Sequence, residues 1–359
     1  MTYMKKIIYI ITMTVLLFAG CSKHPATPET PEQFDKYIFF SQLVETKADL
    51  IESLSGKDFG VVGFKYDKSQ YENLTDFLSE NPTQKPNVFF NDSGSLVDVE
   101  TCSVNGTNAS YSPLQGWSNL KKYSFFAYYP INNPNVTLVN KDGLAYNGGV
   151  PAIKYTMSEA NLQSDMVDVM IASPCKDLDG SSSDVTNNDV TFSFQHCLSC
   201  LEVNIQNTSA GIIEITSASL LLSNIKHSTV TILLDGTQET YSGSLSDKTC
   251  NLSLTAADKT IATNTSIHKL SDKLILIPQG ENLSVGVSIS YKRIYGSGDN
   301  KTEITGQFAT PVASPLQTKL LKGNKHLIHL KFTDSTVEVA GQVSTEGWVE
   351  IPDVESSFN

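Results

Sequence analysis

The sequence predicts an all-β protein, two β-sandwiches in series, and three observations carry that expectation. β-Rich runs bounded by Gly, Pro and Asn recur along the chain. Only 18% of residues are charged, while Ser, Thr and Asn are plentiful, a composition that suits a secreted β-protein. At 359 residues one hydrophobic core would usually split, which favours two domains.

The start of the chain reads as a signal peptide over residues 1–20. Lys5-Lys6 precede a twelve-residue apolar run from Ile7 to Phe18, followed by Ala19-Gly20-Cys21. A basic segment, an apolar segment too short to span a bilayer and small residues before a Cys fit that description. Signal peptidase II requires small residues before a thiol that then receives lipid. Cleavage is therefore expected between Gly20 and Cys21, with Cys21 acylated. Several acyl chains, at about 0.8 kcal/mol per buried methylene, would hold the protein on a membrane. Met4 serves equally well as a start. Residues 21–35, with Pro25, Pro28 and Pro31, form an extended lipidated tether.

The first sandwich is expected over 36–180, opening with the strand-like Tyr37-Ile38-Phe39-Phe40. Phe59 to Tyr66, Asn87 to Asn91, Tyr123 to Tyr129 and Val167 to Ala172 are further strand candidates. One short helix is expected where Tyr71, Leu74, Phe77 and Leu78 share a face. Asp177 to Asp189 has no apolar period and reads as a linker; its D-x-D-G start lacks the further ligands of a calcium loop. The second sandwich is expected over 181–359. Leu283, Val285, Val287, Ile289 and Tyr291 line one face of a half-buried strand. Leu274 to Ile277, Ile328 to Phe332 and Val337 to Val343 add others. In Phe192 to Ile205 the apolar phase slips, which predicts a β-bulge near Ser199-Cys200.

Composition and motifs narrow the function. Removing residues 1–20 leaves 24 basic against 38 acidic residues, a surface that repels nucleic acid. No nucleophile elbow, zinc-protease helix, phosphate-binding loop or dinucleotide fingerprint occurs, so no catalytic residue, metal or cofactor is assigned. Beyond Cys21, the odd set Cys102, Cys175, Cys197, Cys200 and Cys250 cannot pair completely. Cys197-x-x-Cys200 lies in a strand pattern without a second ligand pair, and reads as buried packing. His196 reads as a core-edge histidine bonded to backbone. His326 and His329, three apart in a strand, point to opposite faces.

Several segments together resemble the fimbrillin-like lipoprotein family of Bacteroidetes type V pili. They are Phe59 to Phe64, Tyr111-Ser112-Pro113 with Trp117, Tyr123 to Pro130, Asp168 to Ala172 and Phe192-x-Phe194-x-His196 with Leu198 and Leu201. Leu320 to Gly323 and Val337 to Trp348 complete the series. The resemblance implies two transthyretin-like sandwich domains and export to the outer membrane. It also implies removal of the first strand by a protease and entry of a neighbouring subunit's strand into the emptied groove. Here the removable strand would lie within 36–47, with the cut between Lys47 and Ala48. The chain has one arginine, Arg293, so an arginine-directed protease lacks a site near the N-terminus. Either Lys47 is accepted, or the strand and lipid stay and the protein is an anchor. The expected donor is part of Gly341 to Val354, including Gly341, Val343, Trp348, Val349 and Ile351; an ordinary edge strand is the alternative. Implied partners are other pilus subunits by β-strand addition, the outer membrane through lipid, and a surface ligand for adhesion. The competing function is a glycan-binding surface lipoprotein that stacks sugars on Trp117 or Trp348.

Overall fold

A computed structural model describes residues 36–44, 54–157, 167–181, 190–254, 259–263, 267–270, 274–310 and 316–342. The chain is all-β, as expected. Its first half runs β1 (Phe40–Val44), β2 (Asp58–Asp67), helix α1 (Leu74–Glu80), β3 (Glu100–Asn105), β4 (Asn108–Ser110) and β5 (Lys121–Tyr129). β6 (Val136–Val139), β7 (Ala152–Thr156), β8 (Met170–Ala172) and β9 (Cys175–Asp179) follow. Next come β10 (Val190–His196), β11 (Ser199–Asn207), β12 (Ile212–Ser223), β13 (Thr229–Leu233), β14 (Glu239–Ser242) and β15 (Lys248–Asn251). β16 (Thr260–Ile261), β17 (His268–Lys269), β18 (Leu274–Leu276) and β19 (Gln279–Tyr295) precede β20 (Thr302–Ala309), β21 (Leu316–Leu320), β22 (Lys325–Phe332) and β23 (Val337–Gln342).

The first sheet closes on itself. Its order is β2-β3-β4-β1-β10-β8-β5-β9, and β2 also pairs with β5. Seven strands thus form a ring, with β9 added alongside β5. Alternation explains why it closes around side chains: Phe59 and Val61 of β2, and Tyr123, Phe125 and Ala127 of β5, join one buried cluster with Phe40, Phe192 and Phe194. The opposite faces of the same strands, through Val62, Phe64, Phe126 and Tyr128, enter a second core shared with the rest of the chain. β2 and β5 are therefore buried on both sides.

The second core lies between sheets. β12 and β19 form a long antiparallel ladder, and Leu283, Val285, Val287, Ile289 and Tyr291 are buried on one face as the period predicted. β11 and β22 pair in parallel from Cys200–Lys325 to Asn207–Phe332. These two ladders belong to separate sheets, and a fourth sheet, β14-β13-β7-β6, joins strands from both halves. β10 lies beyond the 180/181 boundary expected from the sequence, yet it pairs with β1 and β8.

Helix α1 matches its expectation. Asn73 caps it by accepting from the Asp76 N–H, and Leu74, Phe77 and Leu78 are buried. The helix ends at Asn81, immediately before Pro82. Three expectations are corrected. The phase slip in Phe192 to Ile205 is not a bulge: β10 ends at His196, and β11 begins at Ser199 in a different sheet. Phe192 and Phe194 enter the ring while Leu198 and Leu201 enter the second core, so the slip marks a change of sheet. Asp177 to Asp179 are not linker but part of β9, paired with β5. The Asp177 carboxylate accepts from the Tyr66 hydroxyl and the Leu74 N–H, and so ties β9 to β2 and to the start of α1. Asn87 to Asn91 forms no strand, only a Phe90–Leu96 bridge.

His326, 1% exposed on β22, accepts the Leu321 N–H at Nε2, a role that requires the neutral ring. Burial pushes its pKa down to about 4. The unfolded chain thus takes up a proton first on acidification, and the stability held above pH about 6.5 is lost as pH falls towards 4. Burial raises Glu100 to about 7, which works oppositely in part of that window. Comparison with a variant isolates the histidine, because Glu100 is common to both proteins. His326→Gln is expected to lose less stability than wild type between pH 6.5 and 4, by up to about 3 kcal/mol. Urea unfolding across that range checks it, and parallel pH profiles would refute it.

Candidate functional site: the slot filled by the first strand

β1 closes the ring between β4 and β10. It runs parallel to β10, from Phe40–Val190 to Val44–Phe194, and antiparallel to β4 at Phe40–Ala109 and Ser41–Asn108. The residues just before it extend the contact: Ile38 N–H donates to the Gln115 carbonyl at 2.8 Å, and Trp117 N–H to the Lys36 carbonyl at 2.9 Å. Gln42 N–H donates to the Thr107 carbonyl at 2.8 Å, and Val190 N–H to the Phe39 carbonyl at 2.9 Å. The Tyr111 hydroxyl donates to the Ile38 carbonyl at 3.0 Å, and the Ser41 and Thr191 hydroxyls meet at 2.8 Å. Four of these six bonds are backbone to backbone, and that part of the recognition is blind to sequence.

Side chains supply the selectivity. The two-residue period puts Ile38, Phe40 and Gln42 inward, at 0%, 1% and 3% exposure, while Tyr37, Phe39 and Leu43 face out. The Phe40 ring centre lies 5.3 Å from that of Phe125, 5.4 Å from Tyr111 and Phe192, and 6.1 Å from Phe89. Gln42 follows at the next inward position. Its Nε2 donates to the Gly106 carbonyl at 3.1 Å, and its Oε1 is buried with no hydrogen-bond partner among the described residues.

The other residues singled out by sequence distribute as follows. Gly20, Cys21, Lys47, Ala48, Val343, Trp348, Val349 and Ile351 lie outside the described residues. Gly341 belongs to β23, where it pairs with Ile328 of β22. Trp117 is 6% exposed and meets the Tyr123 and Phe125 rings edge-on, which overturns its use as a sugar-stacking platform. His196 bonds the Asp168 carboxylate through Nδ1 at 2.9–3.0 Å; both side chains are buried. Cys197 and Cys200 are buried, and burial pushes the Cys197 thiol up to about 12. A thiol held protonated is a poor metal ligand. Among the described residues no group of three or more His, Cys, Asp or Glu is placed to hold a metal. Sequence reasoning missed the lining of the slot at Tyr111, Phe125 and Phe192. Phe-x-Phe spacing signalled buried strands but not which strand they face.

With this geometry in hand, the chain belongs to the fimbrillin-like family, whose model matches residues 68–348. No curated protein matches it. Among solved structures it is similar to a fimbrial protein from Bacteroides vulgatus ATCC 8482, at 19% identity with a TM-score of 0.61. That match covers 88% of this chain and 100% of the other. A Bacteroides uniformis ATCC 8492 protein, provisionally described as a cell adhesion protein, matches at 14% identity with a TM-score of 0.45. It covers 88% of this chain and 99% of its own. At such identities the likeness speaks to fold alone.

Phe40→Ala is expected to cost about 3–5 kcal/mol in urea unfolding, the usual range for emptying a large aromatic pocket. Phe39→Ala, on the outward face, should stay within about 0.5 kcal/mol of wild type. Equal effects at the two positions would mean that the inward and outward faces of β1 have been misassigned.

Proposed function

We propose that this protein is a subunit of a surface fimbria mediating adhesion, held on the outer membrane by lipid on Cys21 and assembled by strand exchange. The carrying observation is β1 itself: one strand completes both the hydrogen-bonding ring and its aromatic interior. A cut between Lys47 and Ala48 would remove all of β1 and nothing of β2. The slot left behind would present the edges of β4 and β10 and the pocket that Phe40 fills, a template for a foreign strand.

Part of residues 341–354 is the proposed donor. Up to Ile351 the odd positions Gly341, Val343, Thr345, Gly347, Val349 and Ile351 carry no charge, Asp353 being the first acid in that phase, whereas Glu346 and Glu350 fall in the other with Trp348. An uncharged face of period two is what such a slot accepts. Membership of the fimbrillin-like family and likeness to a fimbrial protein support the reading. The burial of Trp117 removes one of the two residues on which the glycan-binding alternative rested. Arg293, the single arginine, is 6% exposed, and its guanidinium donates to the Thr333 and Thr336 carbonyls. An arginine-directed protease therefore has no accessible site in the folded chain, and Lys47 is the proposed point of processing.

Surface-extracted protein is expected to begin at Ala48 on N-terminal sequencing, and a chain lacking residues 344–359 should fail to polymerise. Normal polymers from the shortened chain would remove the donor assignment. A blocked, acylated Cys21 as the only N-terminus would make the protein an anchor.

A further inference from the structure

The inward row of β1 is not uniformly matched to its slot. Ile38 and Phe40 fill apolar pockets, but Gln42 brings a primary amide to a position that is 3% exposed. One hydrogen bond is made, from Nε2 to Gly106, and among the described residues Oε1 has no partner. Turning the amide over does not help, since it would set Oε1 against the Gly106 carbonyl, acceptor to acceptor. Nearby lie ring-lining apolar residues: Phe192 is in register with Gln42, and Phe194 with Val44 two positions on.

We infer that the Gln42 pocket is the specificity-determining position of the slot. It accepts, in a strand from a second copy of this chain, an apolar side chain two residues from the one that fills the Phe40 pocket. This inference rests on the strand-exchange reading above and adds to it a reason for the exchange to run forward. A buried carbonyl without a donor forfeits its hydration and receives nothing back. The resident strand therefore sits in the slot with a built-in penalty that an apolar occupant does not carry. The terminal segment meets the requirement: in its uncharged phase Val349 and Ile351 are two residues apart. Gln42 thus keeps the fold closed before assembly without making β1 the best occupant.

The test uses the full chain with Gln42→Met, which keeps length and flexibility but has no amide. A second arm adds labelled peptides spanning residues 36–46, native or carrying Q42M, in excess over the wild-type protein. The expected results are a higher urea midpoint for the variant protein and capture of the Q42M peptide about tenfold better than the native peptide. If the variant is stabilised but neither peptide enters, the mismatch is real while exchange fails, and the inference falls with the exchange reading. If both peptides enter equally, or the variant is no more stable, exchange survives and the role of Gln42 is overturned. The peptide arm needs no variant protein to fold.

Discussion

The constraint on which the rest of this structure depends is that a sheet edge must be paired or covered. A backbone N–H or carbonyl left buried without a partner costs about 1–3 kcal/mol, and a strand edge presents a row of them. The first sheet meets that constraint by closing, and β1 is the stave between β4 and β10. The same short segment also fills the interior, because its inward side chains stand where Phe89, Tyr111, Phe125 and Phe192 converge. Backbone pairing and core packing thus depend on the same few residues.

Two staves, β2 and β5, are held from outside the ring as well as within it. β2 and β5 share a ladder from Gly60–Tyr128 to Asp67–Lys121, and their outer faces pack into the core that the second half completes. Asp177 fastens β9 to β2 and α1 through its carboxylate. β6 and β7 join β13 and β14 in a sheet drawn from both halves of the chain. Among the described residues β1, like β3 and β4, has no comparable outer support: Tyr37, Phe39 and Leu43 on its outward face are about half exposed. The segment is bound strongly on one side and left open on the other.

Much of this was legible in the sequence because β-structure writes itself as alternation. β2, β5, β19 and β22 follow from their runs, and α1 from the spacing of Leu74, Phe77 and Leu78. What alternation cannot carry is which sheet a strand joins. The slip between Phe194 and Leu201 has the same signature whether a strand bulges or changes sheet, and only the tertiary pairings separate the two. Asp177 to Asp179 looked like linker because the segment is polar, yet its polar groups are used in bonds to Tyr66 and Leu74. The family resemblance pointed to the first strand. The parallel partner β10, some 150 residues away, was beyond any local pattern. Gln42 was invisible for the same reason: a Gln in a strand reads as an outward residue until its neighbours are known.

The direction of β1 bears on what could replace it. β1 pairs in parallel over five positions with β10, and antiparallel over two with β4. Parallel ladders are slightly less stable per residue than antiparallel ones. A strand entering the slot in the opposite sense would make the longer ladder antiparallel and the shorter one parallel. Because side chains alternate whichever way a strand runs, it would still present every second residue inward to the Ile38, Phe40 and Gln42 positions. The resident arrangement therefore carries two modest disadvantages, one in the backbone and one at Gln42. Both would be relieved by an occupant that reversed direction and lacked the amide, and neither prevents β1 from closing the ring.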